Sequence, residues 1–474
     1  MSNGKYSYLA KNTILFTVSS FGSKILVFLL VPLYTSILST SEYGIADIIT
    51  TSASLLMYVF TLNIAEAVLR FAIDKKDIQN RYLSYGLKVL LIGSLVFAIC
   101  IAVVYSLRLF HWESYCYLFL FLDYFAVSLY QILSNYLRAI DKVKEVAISG
   151  LIHTLVTIIS NLLFLLVLKK GLPGYLISIV VGSLISSVYC LIIIRLPANS
   201  LLHESVDKNT AHEMRAYSIP LIFNGIAWWM NNSLDKYFVI WMLGASENGI
   251  LSVAYKIPTI LTVFHSIFAQ AWNLSAIKEF DSDDSDGFFS NTYSIYNSGL
   301  VLVCSVLILL NVPFARLLFA KDFFIAWRYS SILLISTLFA CLSGILGSVF
   351  TAVKNSRIFA ASTVSAAVVN CVFNAILIQL MGTSGAAIAT VISFFVVWLI
   401  RLLYTRKYIK WHFSLKKDII AYFLLIIQVS VEHLDGHMYP IQLVALVLII
   451  IVYNAQYKKL VTGICSYIKN KMHK

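Results

Sequence analysis

The sequence predicts an all-α polytopic membrane protein built from two related lobes, and three observations carry that expectation. The 474-residue chain is 59% hydrophobic with only 12% charged residues, about half the charged share of an ordinary soluble domain. Its apolar residues gather into about fourteen stretches of roughly 20 residues, each long enough to cross a ~30 Å hydrocarbon core as a helix. Short phrases recur at a near-constant offset, as duplicated membrane lobes require.

The recurrences are specific. Ser41-Glu42-Tyr43-Gly44-Ile45 returns 205 positions later as Ser246-Glu247-Asn248-Gly249-Ile250. Ala65-Glu66-Ala67 returns as Ala269-Gln270-Ala271, and Gly171-Leu172-Pro173-Gly174 as Gly382-Thr383-Ser384-Gly385, 211 positions on. Each phrase lies beside or within apolar segments.

In chain order the segments cover 12–35, 45–69, 83–106, 115–137, 146–168, 172–194, 216–242, 249–274, 291–312, 329–353, 358–381, 383–404, 418–432 and 438–456. The first lacks a small-residue cleavage site and exceeds a signal-peptide core, so it is expected to be retained. The thirteenth is the shortest. The longest connection, Leu196 to Arg215, leaves no room for a soluble catalytic domain. The seven cysteines lie in or beside apolar segments without paired spacing, which gives neither a disulfide framework nor a metal site. No cofactor is implied.

The net charge of +13 does not point to nucleic acid. With both termini in the cytoplasm, 26 of the 36 Lys and Arg lie on inner connections and 6 on outer ones, the asymmetry of the positive-inside rule. Arg401, Arg406, Lys407, Lys410, Lys416 and Lys417, with Lys458 to Lys474 at the tail, are expected to be inner anchors meeting lipid headgroups. Lys169, Lys170, Arg316, Lys321 and Arg328 sit in outer loops, against the trend. Asp281 to Gly287 mimics a calcium loop, but its fifth position is Ser285, its glycine comes seventh and no glutamate stands twelfth. It reads as a solvated acidic linker.

In hydrocarbon, polar side chains face the bundle interior or a water-filled cavity. Segment one places Thr13, Thr17, Ser20 and Lys24 within a ~60° wedge at about 100° per residue. Segment two aligns Asp47, Thr51, Ser54, Tyr58 and Thr61. Segment seven aligns Asn224, Trp228, Asn231 and Asp235, and segment eight Tyr255, Thr259, Thr262, Ser266 and Gln270. A cavity between two lobes lined by their first two helices needs such stripes, although hydroxyl residues also serve close packing. Tyr124, Gln131, Asn135 and Arg138 in segment four and Asn370 and Asn374 in segment eleven suit interhelical hydrogen bonds equally well.

Among the ionisable groups, Lys24 lies mid-segment and is a candidate ligand for an anion, with a buried ion pair as the alternative. Lys236 adjoins Asp235, so local pairing is its alternative, and Lys256 is either a cavity residue or one half of a buried ion pair. Lys88 snorkels to headgroups. Glu66 and Arg70 are spaced to pair along one helix face, or else Arg70 serves the ligand. Cations with few unpaired buried acids imply an anionic ligand, and Trp228, Trp229 and Trp272 offer flat faces to sugar rings. Pro32, Pro220, Gly225 and Pro258 are expected to break segments one, seven and eight, as alternating access needs.

Val31-Pro32-Leu33-Tyr34, Glu42-Tyr43-Gly44, Leu69-Arg70-Phe71, Asp235-Lys236-Tyr237, Gly249 to Lys256, Gln270-Ala271-Trp272 and Gly385 to Thr390 together resemble the Wzx-type polysaccharide flippases. These belong to the multidrug/oligosaccharidyl-lipid/polysaccharide exporter superfamily. The resemblance implies two six-helix lobes, here residues 1–200 and 201–410, with a helix pair and basic tail over 411–474. It also implies flipping of an undecaprenyl-pyrophosphate-linked oligosaccharide across a bacterial inner membrane by alternating access, for surface polysaccharides such as O-antigen, without enzymatic chemistry. The expected ligand residues are Lys24, Tyr58, Arg70, Asn224, Trp228, Asn231, Lys236, Tyr255, Lys256 and Gln270. Membrane lipids, a coupling proton or sodium ion and a polysaccharide polymerase complex are the further expected partners. A drug antiporter of the same superfamily is the alternative and would need buried carboxylates. A membrane polymerase or glycosyltransferase is a second alternative and would call for a large outer loop or an acidic catalytic domain.

Overall fold

A computed structural model describes residues 28–74, 78–108, 112–195, 206–278, 280–353, 355–412, 414–434 and 439–458, and every regular element among them is helical. The chain divides into two compact units, Met1–Ser233 and Leu234–Lys474. The first holds α1 (Val31–Ile37), α2 (Thr40–Phe60), α3 (Ile64–Asp74), α4 (Gln79–Ser106), α5 (Ser114–Ala139), α6 (Val143–Asn161, continued by a π-helical stretch Leu162–Val167), α7 (Gly171–Ile194) and most of α8 (Lys208–Leu243). The second holds the end of α8 and α9 (Ala245–Ala254), α10 (Thr259–Lys278), α11 (Phe288–Leu309), α12 (Asn311–Leu318), α13 (Trp327–Ala352), α14 (Ser356–Met381), α15 (Thr383–Thr405), α16 (Leu415–Leu434) and α17 (Tyr439–Val452).

Among the described residues nine helices are long and apolar enough to cross a membrane, or ten if α9 and α10 form one bent span. The chain is an all-α polytopic membrane protein. The more polar α8 and α16 and the 14-residue α17 occupy three further predicted segments, and most of the first segment lies outside the described residues. The spans differ in burial. In the second unit the span Lys321–Ala352 is 83% buried, so α13 is its central post, while Arg357–Met381 at 28% turns most of its surface outward.

Among the described residues two spans are broken. The one expected over 45–69 stops at Thr61, where Leu62 (φ 53°) and Asn63 (φ 50°) are left-handed before α3 begins. No glycine or proline marks the place, and a left-handed leucine is strained at its Cβ. The break at Pro258 is as expected: α9 and α10 meet at 49°, and Ser330 Oγ donates to the orphaned Ala254 carbonyl at 3.0 Å. Pro220 lies inside α8, which continues through it. Pro32 sits in the first turn of α1, where its missing N–H costs little.

The sequence repeat corresponds to a repeated local structure. Both five-residue phrases occupy the first turn of a helix, α2 or α9. At α2 Glu42 closes a capping box: Ser39 N–H donates to Glu42 Oε2 at 2.8 Å and Glu42 N–H to Ser39 Oγ at 3.2 Å, which satisfies two end-of-helix donors. Glu42 Oε1 also lies 3.6 Å from where a Cβ on Gly171 would stand, at the start of α7. In the second unit Thr383 Oγ1, at the start of α15, donates to Glu247. Each phrase therefore meets the glycine-rich echo of its own unit. Those echoes are tight turns: Gly171 (φ 54°) and Gly382 (φ 60°) adopt backbone that glycine favours.

The C-terminal helix pair docks on α11 and the start of α12 through a buried polar seam. Tyr453 OH donates to Asp418 Oδ1 at 2.8 Å, and Asn297 Nδ2 to Tyr453 OH at 3.3 Å. Ser305 Oγ donates to Gln428 Oε1 at 2.8 Å and Asn311 Nδ2 to Glu432 Oε1 at 2.9 Å. Asp418, Tyr422, Gln428 and Glu432 fall on one face of α16, so the seam runs most of that helix's length. The acidic linker caps α11: Asp284 accepts from Phe289 N–H at 2.8 Å and Ser290 N–H at 3.0 Å. Lys410 Nζ pairs with Asp283 at 2.8 Å. The Asp283 carboxylate, by hydrogen bond first and then by charge, raises the Lys410 ammonium above its usual range.

Candidate functional site

Lys24, with Thr13, Thr17 and Ser20, lies outside the described residues. Helix α2 and the first half of α8, both in the first unit, pack side by side. Trp229 Nε1 donates to the Thr51 carbonyl at 2.9 Å. About two turns along, the Tyr58 ring packs on Gly225, where a Cβ would come within 2.7 Å of Tyr58 Cδ1. The pairing of 51 with 229 and 58 with 225 makes the two helices antiparallel neighbours, and Gly225 is required by close approach rather than by a kink. Beside these contacts Ser54, Asn224 and Trp228 are exposed and Asn231 is half-buried, its Nδ2 donating to Ala227 O at 3.0 Å. An open patch of amides, a hydroxyl and an indole results, suited to sugar hydroxyls.

Among the described residues, most hydroxyls in the stripes are committed to their own helices. Ser54 donates to Thr50 O at 3.0 Å, Thr61 to Met57 O at 2.6 Å, Thr259 to Tyr255 O at 2.9 Å and Thr262 to Thr259 O at 2.7 Å. Such bonds serve packing and leave only lone pairs for a ligand.

In the second unit, the Lys236 backbone N–H donates to Asp235 Oδ1 at 2.9 Å and Tyr255 OH donates to Asp235 Oδ2. The Lys236 ammonium stands over the Tyr255 ring, 5.9 Å from its centroid, within cation–π range. Asp235, Lys236 and Tyr255 are thus one cluster linking α8 to the turn after α9. Lys256 is half-buried in that turn, just before Pro258. The side chain of Gln270, on α10, lies outside the described residues. Arg70 is exposed on α3, and Glu66 Oε1 accepts from Asn135 Nδ2 at 3.4 Å.

Three features escaped sequence reasoning. Trp272 is 3% exposed and donates to Ser348 Oγ at 2.6 Å, so it belongs to the core and not to a sugar platform. Arg401, read as a headgroup anchor, is buried. Its Nε donates to Ser362 Oγ at 3.0 Å, its amino groups to Ser343 O at 2.9 Å and Thr363 Oγ1 at 3.0 Å, and it stands 4.3 Å from the Phe359 ring centroid. The guanidinium ties α13, α14 and α15 together with neutral acceptors. Buried carboxylates are also more numerous than expected: Asp123, Asp235, Asp418 and Glu432 are each under 5% exposed. Asp123 Oδ1, mid-way along α5, has no hydrogen-bond partner among the described residues. Asp235, Asp418 and Glu432 each accept a side-chain hydrogen bond, so they are not the unpaired acids whose scarcity pointed to an anionic ligand.

Comparison with known proteins supplies the remaining constraint. The profile of the family described as polysaccharide biosynthesis protein matches residues 9–273. An uncharacterized membrane protein of Methanocaldococcus jannaschii is 24% identical over 433 residues, covering 85% of this chain and 99% of its own. The lipid II flippase MurJ in an inward closed conformation superposes with a TM-score of 0.72 at 16% identity, over 94% of this chain and 100% of its own. An inward-facing multidrug resistance MATE transporter of the MOP superfamily gives 0.67 at 12% identity, over 81% and 94%. At such identities the two structures establish the fold alone.

Proposed function

The chain belongs to the polysaccharide biosynthesis protein family, and on that premise we propose that it flips a lipid-linked glycan, an undecaprenyl-pyrophosphate oligosaccharide, across the bacterial cell membrane. The family match carries this reading. The open patch on α2 and α8 supports it, since Asn224, Trp228 and Asn231 offer hydrogen bonds and a flat face while Lys24 supplies charge for the pyrophosphate. Tyr58, Arg70, Lys236, Tyr255, Lys256 and Gln270 complete the proposed ligand set. A multi-sugar head cannot cross hydrocarbon unaided. A lobe-alternating carrier would bind it from the inner leaflet and release it outside while the lipid tail stays in the bilayer, with no covalent step. A proton or sodium gradient would drive the cycle and a polysaccharide polymerase would take the product.

Asp123 favours a second reading, an ion-coupled multidrug antiporter, because a buried carboxylate without a partner suits a cation or a proton. Thiol labelling separates an open, ligand-sensitive patch from a packed one. In a background without the seven native cysteines, Ser54→Cys and Asn231→Cys are expected to react with a water-soluble maleimide, and Ala53→Cys, on the buried face of α2, is not. Lipid-linked glycan is expected to slow the first two. Equal labelling at all three, or protection by a cationic drug and not by glycan, would count against the flippase reading.

A further inference from the structure

A groove of about 780 Å³ in the first unit runs between the end of α2, the middle of α4 and the start of α8. Its two ends differ in chemistry. At one end stand Lys88, Lys208 and Arg215, and at the other Val59, Ile92 and Val96. The base is closed by Tyr85 OH, which donates to the Ala211 carbonyl at 3.4 Å. Ile92 and Val96 are 65% and 47% exposed on a helix apolar enough to span the membrane, so the groove opens sideways to lipid.

The break after Phe60 creates this space. Helix α2 stops there, and Gly93 lets the Phe60 carbonyl press against α4, where any Cβ would overlap it. Lys88 lies nine residues into α4, about 13 Å along the axis at 1.5 Å per residue, which is snorkelling depth for a lysine. The acid just before α8, Asp207, is occupied as a cap: it accepts from Thr210 N–H at 3.1 Å and Thr210 Oγ1 at 2.6 Å. The hydroxyl bond first and the backbone bond next hold its carboxyl below the usual range. Asp207 is not part of the groove lining, nor is Glu213, whereas all three cations are.

We propose that this groove is a binding site for an anionic phospholipid of the membrane, with its phosphate among Lys88, Lys208 and Arg215 and one acyl chain along Val59, Ile92 and Val96. A phosphatidylglycerol-type head supplies the complementary charge, and the apolar half distinguishes a lipid from a soluble phosphate. All its lining residues lie in the first unit and none belongs to the proposed glycan ligand set, so the site stands whether or not the chain flips glycans.

The test uses the full chain in nanodiscs with phosphatidylglycerol or phosphatidylcholine carrying a photoreactive group in the acyl chain, read as the labelling ratio at residues 92 and 96. Phosphatidylglycerol is expected to label in excess. Each cation neutralised in Lys88→Gln, Lys208→Gln and Arg215→Gln is expected to cost roughly fivefold in its binding, the worth of one basic residue at an anionic surface. Ile92→Trp fills the apolar half without altering charge and should lower labelling at Val96 while leaving folding intact. A ratio of one in the parent protein, a ratio unmoved by the triple change, or full labelling in Ile92→Trp would overturn the proposal. Displacement by soluble glycerol phosphate would overturn it in favour of a free-phosphate site.

Discussion

Reversing the charge at Lys24 is expected to stop export while leaving membrane abundance unchanged. Lys24 is a mid-segment cation on a polar stripe with no acidic residue within a helical turn of it in sequence. Lys24→Glu would set a carboxylate against a pyrophosphate, and like charges brought together cost several kcal/mol, on the order of a hundredfold or more in affinity. Lys24→Arg keeps the sign and should retain most transport, with Lys24→Ala between the two. Surface-polysaccharide output, normalised to the amount of protein in the membrane, is the measurement. Full output from Lys24→Glu would remove the anion-binding role.

The largest effect on folding is expected at Gly385. A Cβ there would overlap the Leu377 carbonyl and the Ile378 nitrogen, which are backbone atoms of the preceding helix that no side-chain rotation can move. Gly385→Val must push α14 and α15 apart and should cost about 3 kcal/mol or more, the upper range for overpacking. Its counterpart Gly174 meets Lys170 Cβ at 3.0 Å and Phe164 O at 3.1 Å, so Gly174→Ala should be milder than Gly385→Ala. A Cβ at Gly299 would meet nothing within 4 Å, and Gly299→Ala inside α11 should stabilise by about 1 kcal/mol through helix propensity. Thermal unfolding in detergent, followed by loss of monodisperse protein, ranks the four variants. A Gly385→Val protein as stable as Gly299→Ala would contradict the helix contact.

What the sequence made legible was whatever depends on local pattern. Span positions followed from apolar run length, and helices occupy the predicted segments wherever residues are described. The duplicated phrases marked real structure because each encodes a helix start and the turn it meets. Pro258 announced its break through a lost donor. The break at Leu62 and Asn63 had no such signal, and the close approach of Phe60 to Gly93 beside it involves another helix. The same holds for the site. Stripes on α2 and α8 were visible as periodicity, but the Trp229–Thr51 and Tyr58–Gly225 contacts that pair the two helices join residues more than 150 positions apart. Arg401 was misread because its place near a helix end matches a headgroup anchor. Only the tertiary approach of Ser343, Ser362 and Thr363 shows it buried. Asp123 was passed over because a single acid in an apolar run carries no period.

The proposed activity is the movement of a pyrophosphate-linked glycan across a bilayer. Its most direct measurement is reconstitution into proteoliposomes with a fluorescent undecaprenyl-pyrophosphate oligosaccharide, scoring the fraction that becomes accessible to a membrane-impermeant quencher on the opposite face. The predicted result is protein-dependent translocation that Lys24→Glu abolishes and that cationic drugs do not compete. No translocation above empty vesicles, together with gradient-driven extrusion of a cationic drug by the same preparation, would contradict it and establish the antiporter instead.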